Sequence, residues 1–222
     1  MIHFPATCVD NFYSNPDKIR EWALSLDYHP ATNGEWPGKR SDKLHRVDPV
    51  FFELFCKKLF SIYFDVERND INWIVHSQFQ LIEPFDQDYN SVKNTGWVHY
   101  DDDAVFGGLI YLTPNIDPNC GTSIFKQKEE IPEHLNGKTV KQSFYKTGND
   151  ENYEDTLAKH NSVFDETIKF NNIYNRCISF DGQTAHKANS FHTNEPRLTQ
   201  VFFVDKIDIT SKWPIARHKD YL

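Results

Sequence analysis

The sequence predicts a mainly β protein, an antiparallel sandwich or jelly roll with helices at its N-terminus and one long insertion. From residue 71 onward, short segments alternate apolar or β-branched residues with polar ones, which is the pattern of half-buried strands. Clusters of Asn, Asp, Pro and Gly separate these segments, and helical spacing is largely confined to the first 70 residues. Strands without intervening helices favour an antiparallel architecture over a parallel βαβ sheet.

We expect one domain that spans residues 1–222, because a chain of 222 residues with 39% hydrophobic and 15% aromatic content can bury a sizeable core. Residues 1–70 are expected to form a helical support. Residues 71–206 are expected to form the β core, with the insertion at residues 126–170. No internal repeat or composition break in the sequence marks a second domain.

Two helices are expected in the N-terminal part. Asn15 before Pro16, and Asp48 before Pro49, each combine a capping side chain with a proline that suits the first helical turn. Apolar residues follow both pairs at helical spacing, and the second run is apolar over much of its circumference, so we expect that helix to be well buried. Residues 34–40, rich in Gly and Pro, indicate a loop between the helices.

The first long strand is expected at residues 71–82, with Phe79 on one face and Gln78 and Gln80 on the other. Further strands are expected at residues 96–101, 105–113, 121–125, 173–180, 185–190 and 198–204. The mainly polar residues 126–170 interrupt this rhythm, with one short helix expected at residues 152–158. Long insertions of this kind are typical of lids and binding loops, so we expect this one to cover the mouth of a site.

Charge and cysteine usage exclude several function classes. The 24 Lys and Arg against 32 Asp and Glu give a net charge of −8, which provides no overall field for a nucleic acid, and we expect no such partner. No stretch approaches the roughly 18 consecutive apolar residues of a membrane span, and the N-terminus lacks the features of a secretory signal. The four cysteines form no C-x-x-C pair, so we expect buried free thiols in a cytoplasmic protein.

Three residues, His99, Asp101 and His186, point to a metal centre. Residues i and i+2 of a strand share a face, so His99 and Asp101 are expected to point into a barrel together, where a distant strand adds His186. Two imidazoles and one carboxylate on one side of an ion leave the other positions open, which is the arrangement of non-haem Fe(II) oxygenases. The His-x-Asp motif alone is weak, because ten His and 32 acids predict roughly 1.4 chance matches. The second match, at residues 218–220, is expected to be a solvated end.

The run from Arg197 to Val204 supplies the context that the motif lacks. Alternation along a strand puts Arg197, Thr199 and Phe203 on one face. A guanidinium among inward apolar residues needs an anion, because burying it unpaired is costly. A carboxylate held by its planar fork of donors and by the Thr199 hydroxyl satisfies it, which makes a dicarboxylate ligand a reasonable expectation.

With these residues in place, the chain resembles the Fe(II)/2-oxoglutarate-dependent dioxygenases, and among them the prolyl-hydroxylase-like branch. The resemblance runs from about residue 97 to residue 203, through the order and spacing of residues 99–101, 109–113, 120–125, 177–180, 186 and 197–199. The N-terminal part is more weakly similar to small bacterial and phage members. The chain departs from the family pattern at Cys120 (often glycine), Ser123 (usually threonine) and Thr199 (frequently serine), and no departure removes a metal ligand.

The resemblance implies a double-stranded β-helix core, related to the cupin barrel, and a hydroxylase activity that uses O₂ and 2-oxoglutarate and releases succinate and CO₂. The Fe(II) ligands that it implies are His99, Asp101 and His186. It also implies that Arg197 pairs with the distal carboxylate of 2-oxoglutarate with support from Thr199, and that Tyr111 reaches the same carboxylate. The substrate, a small molecule or a peptidyl side chain, stays open.

A second function class uses the same three residues. A cupin-like barrel holds Zn²⁺ or Mn²⁺ with such ligands, as a non-oxidative enzyme or a small-molecule binding module. Arg197 discriminates between the two, because a dicarboxylate cosubstrate needs a cation at that depth and a simple metal barrel does not.

Other residues are weaker candidates. Arg40 and Trp36, in the Gly- and Pro-rich loop, and Gln78, on the first long strand, are candidates for the substrate site. The lysines of the insertion alternate with acids and are expected to form a solvated face; they are Lys126, Lys128, Lys138, Lys141 and Lys146.

Overall fold

The computed structural model describes residues 4–67, 70–131 and 137–209. Within these ranges five helices form: α1 (Pro16–Leu24), α2 (Leu44–Val47), α3 (Pro49–Phe60), α4 (Lys138–Thr147) and α5 (Tyr153–Ser162). Single 3-10 turns lie at Val92–Asn94 and Pro118–Cys120. None of the helices in the described ranges is long and apolar enough to cross a lipid bilayer.

The strands outweigh the helices and form two antiparallel sheets. The strands are β1 (Thr7–Val9), β2 (Tyr28–Pro30), β3 (Lys39–Ser41), β4 (Ile71–Ile82), β5 (Phe106–Tyr111), β6 (Thr122–Gln127), β7 (Phe164–Phe170), β8 (Cys177–Asp181), β9 (Ala185–Ala188) and β10 (Arg197–Ile209). The large sheet has the order β1-β8-β5-β10-β4-β3-β2, and the small sheet has the order β7-β6-β9. The chain is therefore mainly β, as predicted.

Strand β10 lies at the centre of the large sheet and separates its two environments. Leu198 and Phe202 pack against the helices in the main core, together with Phe55 and Phe60 of α3. The residues that alternate with them line a cavity on the opposite face; they are Arg197, Thr199, Val201 and Phe203. The alternation expected for this strand is confirmed, and it directs an arginine away from the helical layer.

The small sheet covers part of this opposite face of the large sheet. Ile124 of β6 joins Tyr111 of β5 and Ile178 and Phe180 of β8 in one buried cluster. This cluster holds the two sheets together at one end, and the cavity opens between them beside it. The sandwich thus places residues of both sheets around a common space.

Both predicted helix starts are confirmed. The Asn15 side chain accepts a hydrogen bond from the Lys18 amide at 3.2 Å, and Asp48 accepts one from the Phe51 amide at 2.9 Å. Each cap satisfies a backbone donor that has no partner inside the helix. Helix α3 is less buried than expected, because Leu54 on its outer face is 61% exposed.

Several predicted strands differ from the observed ones. Residues 96–101 form no strand; His99 makes only a single antiparallel bridge with His186. Residues 173–176 form a turn in which Asn175 has a φ of 64°, so the strand begins only at Cys177. A left-handed residue cannot continue a strand, and Asn tolerates that conformation better than most residues.

The insertion at residues 126–170 is more structured than the sequence indicates. It contains the helices α4 and α5. It also contains the edge strand β7, which pairs with β6, where irregular structure was expected. Residues 165–169 are all exposed, and their charges obscure the strand pattern while protecting a sheet edge. The predicted short helix is confirmed as α5, which extends further, to Ser162.

Candidate metal centre and cavity

The structure brings His99, Asp101 and His186 together. His186 lies on β9, and His99 lies opposite it, with each backbone N–H donating to the other residue's carbonyl at 3.0 and 2.9 Å. One nitrogen or oxygen from each of the three side chains lies within 4.8 Å of the others. The Nε2 atoms of His99 and His186 are 3.9 and 3.5 Å from the two Asp101 carboxylate oxygens. A single bridge, without a full strand, is therefore enough to assemble the predicted trio.

Backbone carbonyls hold both imidazoles in the tautomer that a metal ligand needs. His99 Nδ1 is 2.9 Å from the Trp97 carbonyl, and His186 Nδ1 is 2.9 Å from the Thr184 carbonyl. Because a carbonyl only accepts hydrogen bonds, each Nδ1 carries the proton and each Nε2 presents a lone pair toward Asp101. Both rings therefore aim an available donor atom at the same space.

Electrostatics keep His99 neutral. Its pKa is lowered well below the ordinary value, first by desolvation on burial and then by the neighbouring His186 and Lys141. The desolvation acts although 41% of the side chain is accessible, since that surface lies against the cavity. A neutral imidazole is the form that binds a metal ion.

Arg197 and Thr199 form the deep end of the cavity. Arg197 is 2% exposed; its Nε donates to the Cys120 carbonyl at 3.3 Å. Its Nη2, and the hydroxyl of Thr199, are buried with no hydrogen-bond partner among the described residues. Burial lowers the pKa of Arg197, and the neighbouring Tyr111 offsets part of this effect. A buried cation and a hydroxyl with unused hydrogen-bonding capacity thus stand side by side.

Tyr111 lies next to this pair but is engaged elsewhere. It pairs with Thr199 in the β5–β10 register, and the guanidinium carbon of Arg197 is 5.5 Å from its ring centroid. Its hydroxyl donates to Thr122 Oγ1 at 2.9 Å, and burial raises its pKa to about 12. Tyr111 therefore packs against Arg197 as a neutral phenol, and its expected contact with a bound carboxylate stays a prediction.

The cavity that contains these groups has a volume of about 560 Å³, within the range of small-molecule sites. Its lining includes both the Arg197–Thr199 pair and the His-Asp-His trio. Trp36 and Arg40, the weaker candidates for the substrate site, also line the cavity. Apolar side chains complete the walls, among them Leu109, Phe180, Phe191 and Val201.

Gln78 is not part of the lining. Its side-chain amide donates to the Ser41 carbonyl at 2.7 Å, so strand β3 ties it down at the sheet. Gln80, two residues further on the same face, lines the cavity instead and donates to the Pro37 carbonyl at 2.7 Å. The strand alternation therefore places both glutamines correctly, but only the neighbouring strand decides which one reaches the cavity.

Helix α4 contributes lining residues that the sequence reasoning missed. Lys141 and Tyr145 line the cavity, whereas Lys141 was expected on a solvated face; Lys138 also lines it but is exposed. The helix is anchored by Phe144, which stacks on Tyr153 at 3.6 Å between ring centroids, in a cluster that includes Trp97. Lys141 and Tyr145, four residues apart, share one helix face, but this spacing does not tell from the sequence which way that face points.

Two other histidines take structural positions. His76 pairs with Asp205 at 2.8 Å, and His160 Nε2 contacts the Val98 carbonyl at 2.8 Å. The second His-x-Asp match, at residues 218–220, lies outside the described residues. Of the cysteines, Cys8 is exposed, which corrects the expectation of four buried thiols; the other three are buried and all four are free.

Comparison with known proteins identifies a family and a fold. The profile of a family of unknown function, DUF6445, matches residues 3–197. No curated protein matches the chain.

The solved structures similar to the chain include oxygenases. A prolyl hydroxylase from Trichoplax adhaerens, in complex with a hypoxia-inducible-factor peptide fragment, is 12% identical with a TM-score of 0.51, over 90% of this chain and 82% of that one. HygX from Streptomyces hygroscopicus, with nickel and 2-oxoglutarate bound, is 11% identical with a TM-score of 0.52, over 90% and 82%. EvdO2 from Micromonospora carbonacea var. aurantiaca, complexed with 2-oxoglutarate, is 10% identical with a TM-score of 0.54, over 94% and 89%. These likenesses show a shared fold.

Proposed function

For this chain, which belongs to the DUF6445 family of unknown function, we propose the activity of an Fe(II)- and 2-oxoglutarate-dependent dioxygenase. The reaction is the hydroxylation of a small-molecule or peptidyl substrate, with release of succinate and CO₂, on a double-stranded β-helix core. One observation carries the proposal: the cavity that holds the His-Asp-His trio also holds a buried arginine whose Nη2 has no hydrogen-bond partner among the described residues. The fold shared with HygX and EvdO2, both solved with 2-oxoglutarate bound, supports it.

The donor set fits a non-haem iron. His99 and His186 offer neutral Nε2 atoms, and Asp101 offers a carboxylate that supplies one negative charge. Two imidazoles and one carboxylate on one side of an ion suit Fe(II) and leave positions for other ligands. These three residues would hold the metal, and an aspartate at this position argues for hydroxylation over halogenation, in which a halide takes the place of the carboxylate.

The deep end of the cavity fits one carboxylate of 2-oxoglutarate. The Arg197 guanidinium is planar and carries fixed charge-assisted donors, and the Thr199 hydroxyl is free to donate beside it. A carboxylate there would neutralise the buried cation and satisfy both groups. The desolvation cost of this buried cation is present in the ligand-free protein, so binding of an anion beside it is favourable.

Once bound, the metal and the cosubstrate supply the oxidising power, through decarboxylation of 2-oxoglutarate with O₂. The chain supplies orientation and a dry site. The Trp97 and Thr184 carbonyls fix the imidazole tautomers, and Arg197 sets the direction of the cosubstrate. Leu109 and Phe180 line the cavity together with the trio, and such apolar walls would limit side reactions with water once cosubstrate and substrate fill the space.

The proposal is tested by succinate formation. Protein supplied with Fe(II), 2-oxoglutarate, ascorbate and air is expected to form succinate slowly even without its substrate, measured by proton NMR. Asp101→Ala should abolish this turnover, because it removes one metal ligand. Asp103→Ala is the matched control, since Asp103 is an exposed acid at the cavity rim and should retain turnover. Iron bound in full with no succinate formed would contradict the proposal and favour the cupin-like metal barrel.

A further inference from the structure

A second pair of cations, Arg40 and Lys141, lines the cavity that also contains Arg197. Arg40 lies on β3, and its guanidinium carbon is 4.4 Å from the Trp36 ring centroid and 5.7 Å from the Phe203 ring centroid. Lys141 reaches the same cavity from α4. The two cations therefore come from separate elements, one from the large sheet and one from the insertion.

Neither cation has a counter-ion among the described residues. No acid of the described chain lies within the 4.0 Å that defines an ion pair with Arg40 or Lys141. The Nε of Arg40 and the indole Nε1 of Trp36 are buried without hydrogen-bond partners among the described residues. Desolvation lowers the pKa of Lys141 to about 8 and that of Arg40 to about 10, and Asp101 offsets only part of each effect. Trp36 and Arg40 thus line the cavity, and each keeps a buried N–H that has no acceptor among the described residues.

The charges of the loaded site leave these cations unbalanced. Arg197, Arg40 and Lys141 contribute three positive charges inside the cavity, and Asp101 contributes one negative charge. A divalent metal and the dianionic 2-oxoglutarate cancel one another, so two positive charges remain without a counter-charge among the buried lining residues that the structure describes. The other charged lining residues, Glu35, Asp103 and Lys138, are exposed at the rim, where solvent screens them.

The guanidinium groups of the two arginines contact different side chains, although the backbone of Arg40 lies level with Thr199 through Gln80 of β4. Arg197 packs against Tyr111, whereas Arg40 packs against Phe203, which pairs with Gly107 in the β5–β10 register. Tyr111 and Gly107 are four residues apart on β5, or roughly 13 Å along the strand. A cosubstrate anchored by Arg197 therefore leaves Arg40 and Lys141 available for another molecule.

We propose that Arg40, Lys141 and the Trp36 indole N–H bind an anionic group, a carboxylate or a phosphate, on the primary substrate. The substrate is then a small acidic molecule whose anion lies at this cluster and whose reacting carbon lies toward His99 and His186. The apolar faces of Trp36, Tyr145 and Phe203 suit its organic part. The inference rests on the proposed function, because it assigns Arg197 to the cosubstrate and the cluster to the substrate.

The test measures binding of named probes to protein loaded with Ni²⁺ and 2-oxoglutarate. The probes are benzoate and inorganic phosphate, with benzamide as the neutral analogue of benzoate. Binding is measured by saturation-transfer NMR for the organic probes and by calorimetry for phosphate. Benzoate or phosphate is expected to bind, and benzamide is not. Arg40→Gln and Lys141→Gln should each weaken binding of the anion about 10- to 100-fold, the effect of removing a charged hydrogen-bonding partner. The matched controls Lys39→Gln and Lys146→Gln, both exposed neighbours on the same elements, should bind it unchanged.

Folding is checked separately, and Arg40→Lys, which keeps the charge, should retain part of the affinity. Probe binding that is insensitive to Arg40→Gln and Lys141→Gln, or absent for both anions, would overturn the inference. So would a loss of 2-oxoglutarate affinity in these variants with unchanged benzoate binding, because the cluster would then belong to the cosubstrate. Failure of the proposed function looks different: 2-oxoglutarate binding would be absent or independent of Arg197, while the probes still report on Arg40 and Lys141.

Discussion

Replacing Arg197 by methionine should raise the stability of the ligand-free protein and weaken its binding of 2-oxoglutarate. Methionine keeps most of the length of the side chain and removes the charge. Because Arg197 is 2% exposed and its Nη2 has no partner among the described residues, the fold bears a desolvation cost that the native protein recovers only when an anion binds. If Arg197 served stability alone, its replacement would destabilise the protein and leave 2-oxoglutarate binding unchanged.

The effect on stability is a small difference between opposing contributions. Replacing an uncompensated buried charge by an apolar side chain is worth about 1–4 kcal/mol. The lost hydrogen bond from Nε to the Cys120 carbonyl, long at 3.3 Å, costs about 1 kcal/mol. We therefore expect Arg197→Met to raise the free energy of unfolding by about 0–3 kcal/mol.

The effect on binding is larger. Removing one partner of a buried charged pair costs about 2–5 kcal/mol, which raises the dissociation constant of 2-oxoglutarate about 30-fold to several thousand-fold. At a concentration of 100 times the wild-type dissociation constant, 2-oxoglutarate stabilises the wild type by about 2.7 kcal/mol. The same concentration should stabilise the variant by less than about 0.9 kcal/mol.

The assay is urea unfolding of the Ni²⁺-loaded protein with and without 2-oxoglutarate, together with the metal-free protein. Arg20→Met is the matched control, because Arg20 donates to the Leu112 carbonyl at 2.9 Å and to Glu195 at 2.6 Å. It should lose about 1–2 kcal/mol of stability and keep the full response to 2-oxoglutarate. An Arg197→Met protein that loses more than about 2 kcal/mol while responding fully to 2-oxoglutarate would refute the reasoning.

Three further substitutions test other parts of the structure. Lys141→Met should stabilise the ligand-free protein by about 1–2 kcal/mol at pH 7, since burial lowers the Lys141 pKa to about 8 and partial exposure reduces the penalty. This advantage should shrink as the pH rises from about 8 to 10, where the unfolded wild type binds more protons than the folded one, measured by urea unfolding across pH. Phe144→Ala should cost about 3–5 kcal/mol, because Phe144 is fully buried against Tyr153, while Val50→Ala, at a residue 70% exposed, should stay within about 0.5 kcal/mol. Asp48→Ala should cost about 1 kcal/mol through loss of the α3 cap, and an unchanged thermal midpoint would contradict the capping role.

Local rules explain the parts of the fold that the sequence predicts well. Asn15 and Asp48 precede prolines, and such pairs act within one helical turn, so both helix starts are predictable. The alternation from Arg197 onward depends only on the two-residue period of a strand, and it predicts the side of the sheet that each residue faces. The same period predicts that His99 and Asp101 point the same way, although a single bridge replaces the expected strand.

The remaining features depend on packing between distant segments. Lys141 faces the cavity because Phe144 stacks on Tyr153 and holds α4 over it, and neither the contact nor its direction is visible in a polar segment. Gln78 and Gln80 are equivalent by strand period, and only the hydrogen bond from Gln78 to Ser41 of β3 separates them. Charge alternation in the insertion indicates a solvated surface, but tertiary structure decides which lysine is enclosed.

The central claim is that His99, Asp101 and His186 hold Fe(II) beside a 2-oxoglutarate molecule anchored by Arg197. Anaerobic titration of the Fe(II)-loaded protein with 2-oxoglutarate tests it most directly, through the visible metal-to-ligand charge-transfer band that forms when the cosubstrate chelates iron. We predict a saturable band in the wild type, no band in His99→Ala, and a band in Arg197→Met that requires far more 2-oxoglutarate. Bound iron that develops no band at saturating 2-oxoglutarate would contradict the account.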